Sequence, residues 1–155
     1  MPRRCRGFTL LELMVVIVLI GVLLGMVSFA TGTNPARQAR QEAANLAQIV
    51  QHLRERAVLE GQEFGLRFSV EGYRAMRLEI RGWQPVGALH QWPDRLQLHL
   101  RRDGYPLVLG ADEGPPQLML LSSDETSAFT LTFSTGDRAW LSLSADGIGK
   151  VLIHG

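Results

Sequence analysis

Between Phe8 and Ala30 the chain reads FTLLELMVVIVLIGVLLGMVSFA, an apolar run whose one ionisable side chain is Glu12. Wound as a helix it reaches about 35 Å, enough to span a bilayer with some tilt. Arg3, Arg4 and Arg6 stand just ahead of it. By the positive-inside rule the short N-terminus therefore stays cytoplasmic and everything beyond the run lies outside. The chain divides accordingly into a basic leader (1–7), a transmembrane helix (8–30), a linker with an amphipathic helix (31–61) and a head (62–155).

Basic residues before an apolar run also open a secretory signal peptide, which ends in small residues of the A-x-A kind. Ser28-Phe29-Ala30 matches that pattern weakly and the run is too long for it, so a single-pass anchor is the stronger plain reading. Neither accounts for Glu12, because a carboxylate in hydrocarbon costs on the order of 2 to 3 kcal/mol at the centre of the bilayer and less at its edge. Cutting between Gly7 and Phe8 would make Glu12 the fifth residue, about 6 Å along the helix from a new α-amino group. Amine and carboxylate, both stranded at the membrane edge, would neutralise each other across neighbouring helices.

The segment RGFTLLELMVVIVLIGVL resembles the prepilin motif of type IV pilins and type II secretion pseudopilins, closely over Gly7 to Leu24. The resemblance implies cleavage after Gly7 by a prepilin peptidase of the inner membrane, N-methylation of Phe8, and a role for Glu12 in subunit packing. Gly21 and Gly25 form a G-x-x-x-G spacing that lets membrane helices approach closely. Glycine is also common in such helices for no special reason, and the spacing alone does not separate the two readings.

Past the run, Thr33 or Asn34 can cap a helix that Pro35 opens at its first position. Ala43, Leu46, Val50, Leu53 and Ala57 recur at spacings of three and four, with Arg37, Gln38, Gln41, Arg54 and Glu55 off the stripe. That is an amphipathic helix ending near Gly61, its stripe packed on its own domain's sheet or presented to a partner, and both can hold on different faces. The period then becomes alternating, with Phe64, Leu66 and Phe68, then Met76, Leu78 and Ile80, then Leu96, Leu98 and Leu100, which predicts strands with one buried face. Further strands are expected over 129–133, 139–143 and 150–153, and loops over 83–93 and 110–116. The fold class is α+β, a long N-terminal helix continuing into an amphipathic helix packed on antiparallel sheet.

Composition limits the chemistry. Formal net charge is +1, and without residues 1–7 the balance is 13 basic to 15 acidic, which offers no general attraction for nucleic acid. Cys5 is the sole cysteine, so the head has no disulfide to hold it. His52, His90, His99 and His154 are scattered, no metal-ligand spacing or glycine-rich phosphate loop occurs, and no motif frames Ser122 or Ser123 as a nucleophile beside Asp124 and His99. The pairs Asp112-Glu113 and Asp124-Glu125 read as turn residues, since calcium needs six to eight convergent oxygens. Trp83, Trp92 and Trp140 fit either core anchors or an interaction surface. No enzyme activity, cofactor or metal is expected.

Three segments, LRERAVLEGQEFGLRF, PQLMLLSSDETSAFTLTF and WLSLSADGIGKV, resemble the H-type minor pseudopilin of type II secretion, the GspH family. The resemblance implies a structural subunit of the periplasmic pseudopilus, at or near its tip, that supports export of folded proteins across the outer membrane. Its implied partners are the prepilin peptidase, other minor and major pseudopilins and exported substrate proteins. The alternative is a minor pilin of a type IV or competence pilus, serving adhesion, motility or DNA uptake, for which Arg101-Arg102 and the helix arginines are the only basic cluster.

Overall fold

The computed structural model describes residues 10–30, 34–148 and 150–155, with side chains in the first segment described as far as Val22. They fall into two units divided between Asn34 and Pro35. The first unit holds helix α1 (Leu10–Ala30). Among the described residues no helix is long and apolar enough to cross a membrane; the span expected over 8–30 lies partly outside them.

The second unit begins with helix α2 (Pro35–Glu60), which starts at the proline, right after Asn34. Ala39, Glu42, Ala43, Leu46, Val50, Leu53 and Ala57 are its buried positions. The expected stripe is therefore the buried face, extended by Ala39 and Glu42. At the far end Gly61 takes a φ of +62°, and the amide of Gln62 donates to the Ala57 carbonyl at 3.2 Å. This left-handed C-terminal cap is open to glycine without steric cost, and Thr33, the other expected N-cap, lies outside the described residues.

Among the described residues ten strands follow: β1 (Phe64–Phe68), β2 (Gly72–Glu79), β3 (Gly82–Pro85), β4 (His90–Gln91), β5 (Gln97–Arg102), β6 (Tyr105–Leu107), β7 (Leu118–Leu120), β8 (Phe129–Thr135), β9 (Arg138–Ala145) and β10 (Leu152–His154). They form two five-stranded sheets. In the first the order is β3-β2-β1-β7, with β4 also on β2; in the second it is β10-β9-β8-β5-β6. Pairing is antiparallel throughout the described strands. Hairpins account for β1-β2-β3 and β8-β9-β10, as expected of meanders, whereas β1-β7 and β5-β8 join strands distant in sequence.

Helix α2 touches β1 and β7 of the first sheet and β8, β9 and β10 of the second. One core cluster joins all three layers: Leu46, Val50 and Leu53 from the helix, Phe64, Leu66, Phe68, Leu118 and Leu120 from one sheet, and Leu100, Leu131, Phe133 and Leu143 from the other. Each such side chain contributes about 1.5–3 kcal/mol on burial.

Three expectations need correction. The stretch 83–93 is not a continuous loop: β3 and β4 lie on successive parts of one edge of β2, with Leu78 opposite Trp83 and Tyr73 opposite His90. β1 is buried on both faces rather than one, because the loop over 110–116 covers its outer side. Arg67 there donates to Asp112 and to the Gly114 carbonyl, and a Cβ on Gly65 would stand 2.5 Å from Pro116 Cγ. Finally, of Met76, Leu78 and Ile80 only Met76 is buried, and Ile80 is fully exposed. Phe64 of β1 pairs with Arg77, so beyond that point β2 has run past the helix and the core.

Candidate functional site

Glu12 lies in the first turn of α1, where the positive end of the helix dipole favours a carboxylate. Around it the large apolar side chains from Leu10 to Val22 range from 40% exposed at Val16 to 78% at Leu10. A helix apolar on every side is stable only in hydrocarbon or against other apolar surfaces. At Gly21 a Cβ would meet nothing within 4 Å, which leaves the helix backbone open to a close neighbour. Gly25 belongs to α1, but its surroundings lie outside the described residues, as do Gly7 and Phe8 entirely.

In the second unit, the acidic pairs read from sequence as turn residues turn out to hold the turns in place. Asp112 accepts from Arg67 Nε at 2.7 Å and from Arg74 at 2.7 Å through its other oxygen. Burial pushes its carboxyl up, but the hydrogen bonds from Arg67 and Arg74 outweigh burial and hold it below the usual carboxylate range. Asp124 accepts from Arg54 Nε at 2.6 Å. Among the described residues no group of three or more His, Cys, Asp or Glu side chains is placed to hold a metal.

The serine-histidine set is not assembled. Ser122, Ser123 and Asp124 follow β7 of the first sheet, whereas His99 stands in β5 of the second, opposite Thr132. His154 meets Ser144 at 3.0 Å. Trp92 is a core anchor: its ring stacks on Phe68, tilts against Tyr73 and meets Phe133 edge-on, while its Nε1 donates to the Ser69 carbonyl at 3.0 Å. Trp140 carries the Arg138 guanidinium over its ring at 4.4 Å. Arg101 donates twice to the Gly104 carbonyl, and Arg102 faces Asp103 at 3.9 Å, so both local arginines are engaged in the β5–β6 turn.

One polar cluster escaped sequence reasoning. Glu42, on the buried face of α2, lies 3.1 Å from Nε2 of His90 in β4, and the His90 ring rests on Tyr73 with centroids 4.7 Å apart. A charged residue at a core position of α2, in step with Ala39, Ala43 and Leu46, is the signal that could have found it.

Comparison with known proteins covers both units. Residues 2–28 match the prokaryotic N-terminal methylation motif, and residues 38–147 match the family described as type II transport protein GspH. A type II secretion system protein H from Pseudomonas aeruginosa is 39% identical over 160 residues, spanning 94% of this chain and 93% of the relative. The protein of the same description from Escherichia coli is 28% identical, over 81% of this chain and 79% of its own. Among solved structures, the crystal structure of the minor pseudopilin EpsH from the type II secretion system of Vibrio cholerae aligns with a TM-score of 0.68 at 26% identity, covering 79% of this chain and 96% of that one.

Proposed function

The chain belongs to the GspH family of type II transport proteins, and from that premise we propose a processed, membrane-held form built into the periplasmic pseudopilus. As a type II secretion minor pseudopilin it has a structural role, with no reaction of its own. A prepilin peptidase cuts between Gly7 and Phe8 and the new N-terminus of Phe8 is methylated. Residues 8–30 anchor the subunit in the inner membrane with the head in the periplasm. Other minor and major pseudopilins pack against it at or near the filament tip, where exported proteins are within reach.

The observation that carries this reading is α1, which from Leu10 to Val22 exposes apolar side chains on every side and carries a carboxylate in its first turn. Such a helix is satisfied by lipid before assembly and by neighbouring helices after it, where a neighbour's new amine would meet the Glu12 carboxylate at low dielectric. Of the basic cluster that the pilus reading draws on, Arg101 and Arg102 are held in the β5–β6 turn by the Gly104 carbonyl and Asp103. The test is the intact mass of the chain purified from its own membranes. Loss of residues 1–7 with one added methyl group is expected; an uncut chain, or one cut after Ala30, would overturn the proposal.

A further inference from the structure

Between α2 and the β2–β4 edge of the first sheet lies an open surface cavity of about 390 Å³ lined by Asn45, Gln48, Ile49, His52, Tyr73 and His90. Glu42 sits on the same helical face one and two turns before Asn45 and Ile49, behind His90. The Glu42 carboxylate is buried, yet its partner, the His90 side chain, is 45% exposed. A buried carboxylate held through a single nitrogen of a half-exposed imidazole has acceptor capacity left for a cation with several donors. Tyr73 is 3% exposed, and its hydroxyl has no hydrogen-bond partner among the described residues. Burial, with Glu42 nearby, pushes that phenol up to about 12, so it stays a neutral hydroxyl.

The cavity thus brings together an unpartnered phenol oxygen, an aromatic ring and the aliphatic Ile49, with a buried carboxylate held by one imidazole nitrogen just behind its His90 wall. A guanidinium matches all four. It donates to two separate oxygens at once, lies against an aromatic face, and its methylene stem runs along apolar surface. Anions are repelled by Glu42. The rim residues Gln48 and His52 are exposed on α2, so the group can arrive from outside.

We propose that this cavity is a socket for an arginine side chain of a neighbouring protein subunit, which displaces His90 as the partner of Glu42 and binds the Tyr73 hydroxyl oxygen. The identification of the neighbour as another pseudopilin rests on the function proposed above; the socket's chemistry does not.

The first test is NMR of the full chain in detergent micelles, with labelled histidine and L-arginine amide as the probe. Arginine amide should shift the His90 ring resonances saturably, and uncharged L-citrulline amide should not. Glu42→Gln should weaken the response about tenfold or more, as expected for loss of a charged hydrogen-bond partner. Tyr73→Phe, which removes only an unpaired hydroxyl and so keeps the fold, should weaken it less. Equal responses to the two amides, or an unchanged response in both variants, would overturn the socket. The second test places a benzophenone amino acid at Gln48 of the full chain in its own membranes. The cross-linked peptide should contain an arginine, and the adduct should fade in Glu42→Gln; a peptide without arginine, or a lipid adduct, would overturn the proposal. An arginine peptide from a protein outside the pseudopilus would keep the socket and remove the assembly reading instead.

Discussion

Arg54 and Asp124, seventy residues apart in sequence, meet at 2.6 Å, and the same guanidinium also donates to the backbone carbonyls of Asp124 at 2.9 Å and Ile148 at 2.8 Å. One side chain from α2 thus ties down the β7–β8 turn and the turn after β9. Asp124 takes a φ of +71°, a left-handed conformation that aspartate tolerates better than most residues. The two carboxylate and carbonyl contributions differ in worth. Asp124 is 61% exposed, so its charge adds at most about 1 kcal/mol, whereas the Arg54 side chain, 12% exposed, also carries two carbonyl bonds and the packing of its stem. Arg54→Ala should therefore cost about 1–3 kcal/mol and Asp124→Asn under about 1 kcal/mol. Urea unfolding followed by circular dichroism checks the order, and a larger loss for Asp124→Asn would refute it.

Asp112 should make stability fall in acid. Arg67 and Arg74 hold its carboxyl below the ordinary range, so the folded state favours the charged form. That contribution is fully present above the unfolded value of about 3.9 and is lost as pH falls through the lower folded value. Asp112→Asn should remove this part of the acid dependence. At neutral pH it should destabilise by about 1–3 kcal/mol, because an asparagine oxygen can accept from only one of Arg67 and Arg74 while its NH2 faces the other, and the charge is lost. Unfolding midpoints at pH 7 and near pH 3 should differ less in the variant than in the parent.

Gly72 is a test of the β2–β4 edge. A Cβ there would overlap the His90 carbonyl oxygen, which is rigid backbone. Gly72→Ala should push β4 off β2 at a cost of about 1–3 kcal/mol and draw His90 away from Glu42. Histidine-ring NMR should show His90 displaced while His154, bonded to Ser144 in the other sheet, keeps its signals.

How much of this was legible beforehand depends on the range of the interaction. The buried face of α2 follows from a local period, and Ala43, Leu46, Val50, Leu53 and Ala57 are all buried. Its end follows from Gly61, and the closing strands from turn residues such as Gly136 and Gly147, both at positive φ. Pairing of β1 with β7, or of β5 with β8, is set by long-range packing that no local pattern records. The short β3 and β4 carry too few alternating apolar residues to stand out. Asp112 and Asp124 look like ordinary turn aspartates until the fold delivers Arg67, Arg74 and Arg54 to them. Glu42 was hidden for the opposite reason: within an apolar face a single charge reads as an interruption, not as half of a pair with a histidine 48 residues on.

The assembly role proposed for Glu12 can be separated from processing. Glu12 is in the first turn of α1, past the proposed cut, so replacing it should not alter what the peptidase reads at Gly7 and Phe8. Glu12→Leu makes the helix more apolar, which favours insertion, while removing the charge that a neighbour's new amine would meet at low dielectric. The variant should be cleaved and methylated normally by intact mass, yet recover markedly fewer partner subunits on affinity purification and export less protein. A bulky residue at Gly7 should do the reverse, leaving the uncut, unmethylated chain in the membrane. Normal recovery of partner subunits with Glu12→Leu would mean that apolar packing of α1 alone holds the subunit in the filament, and that its carboxylate has no part in assembly.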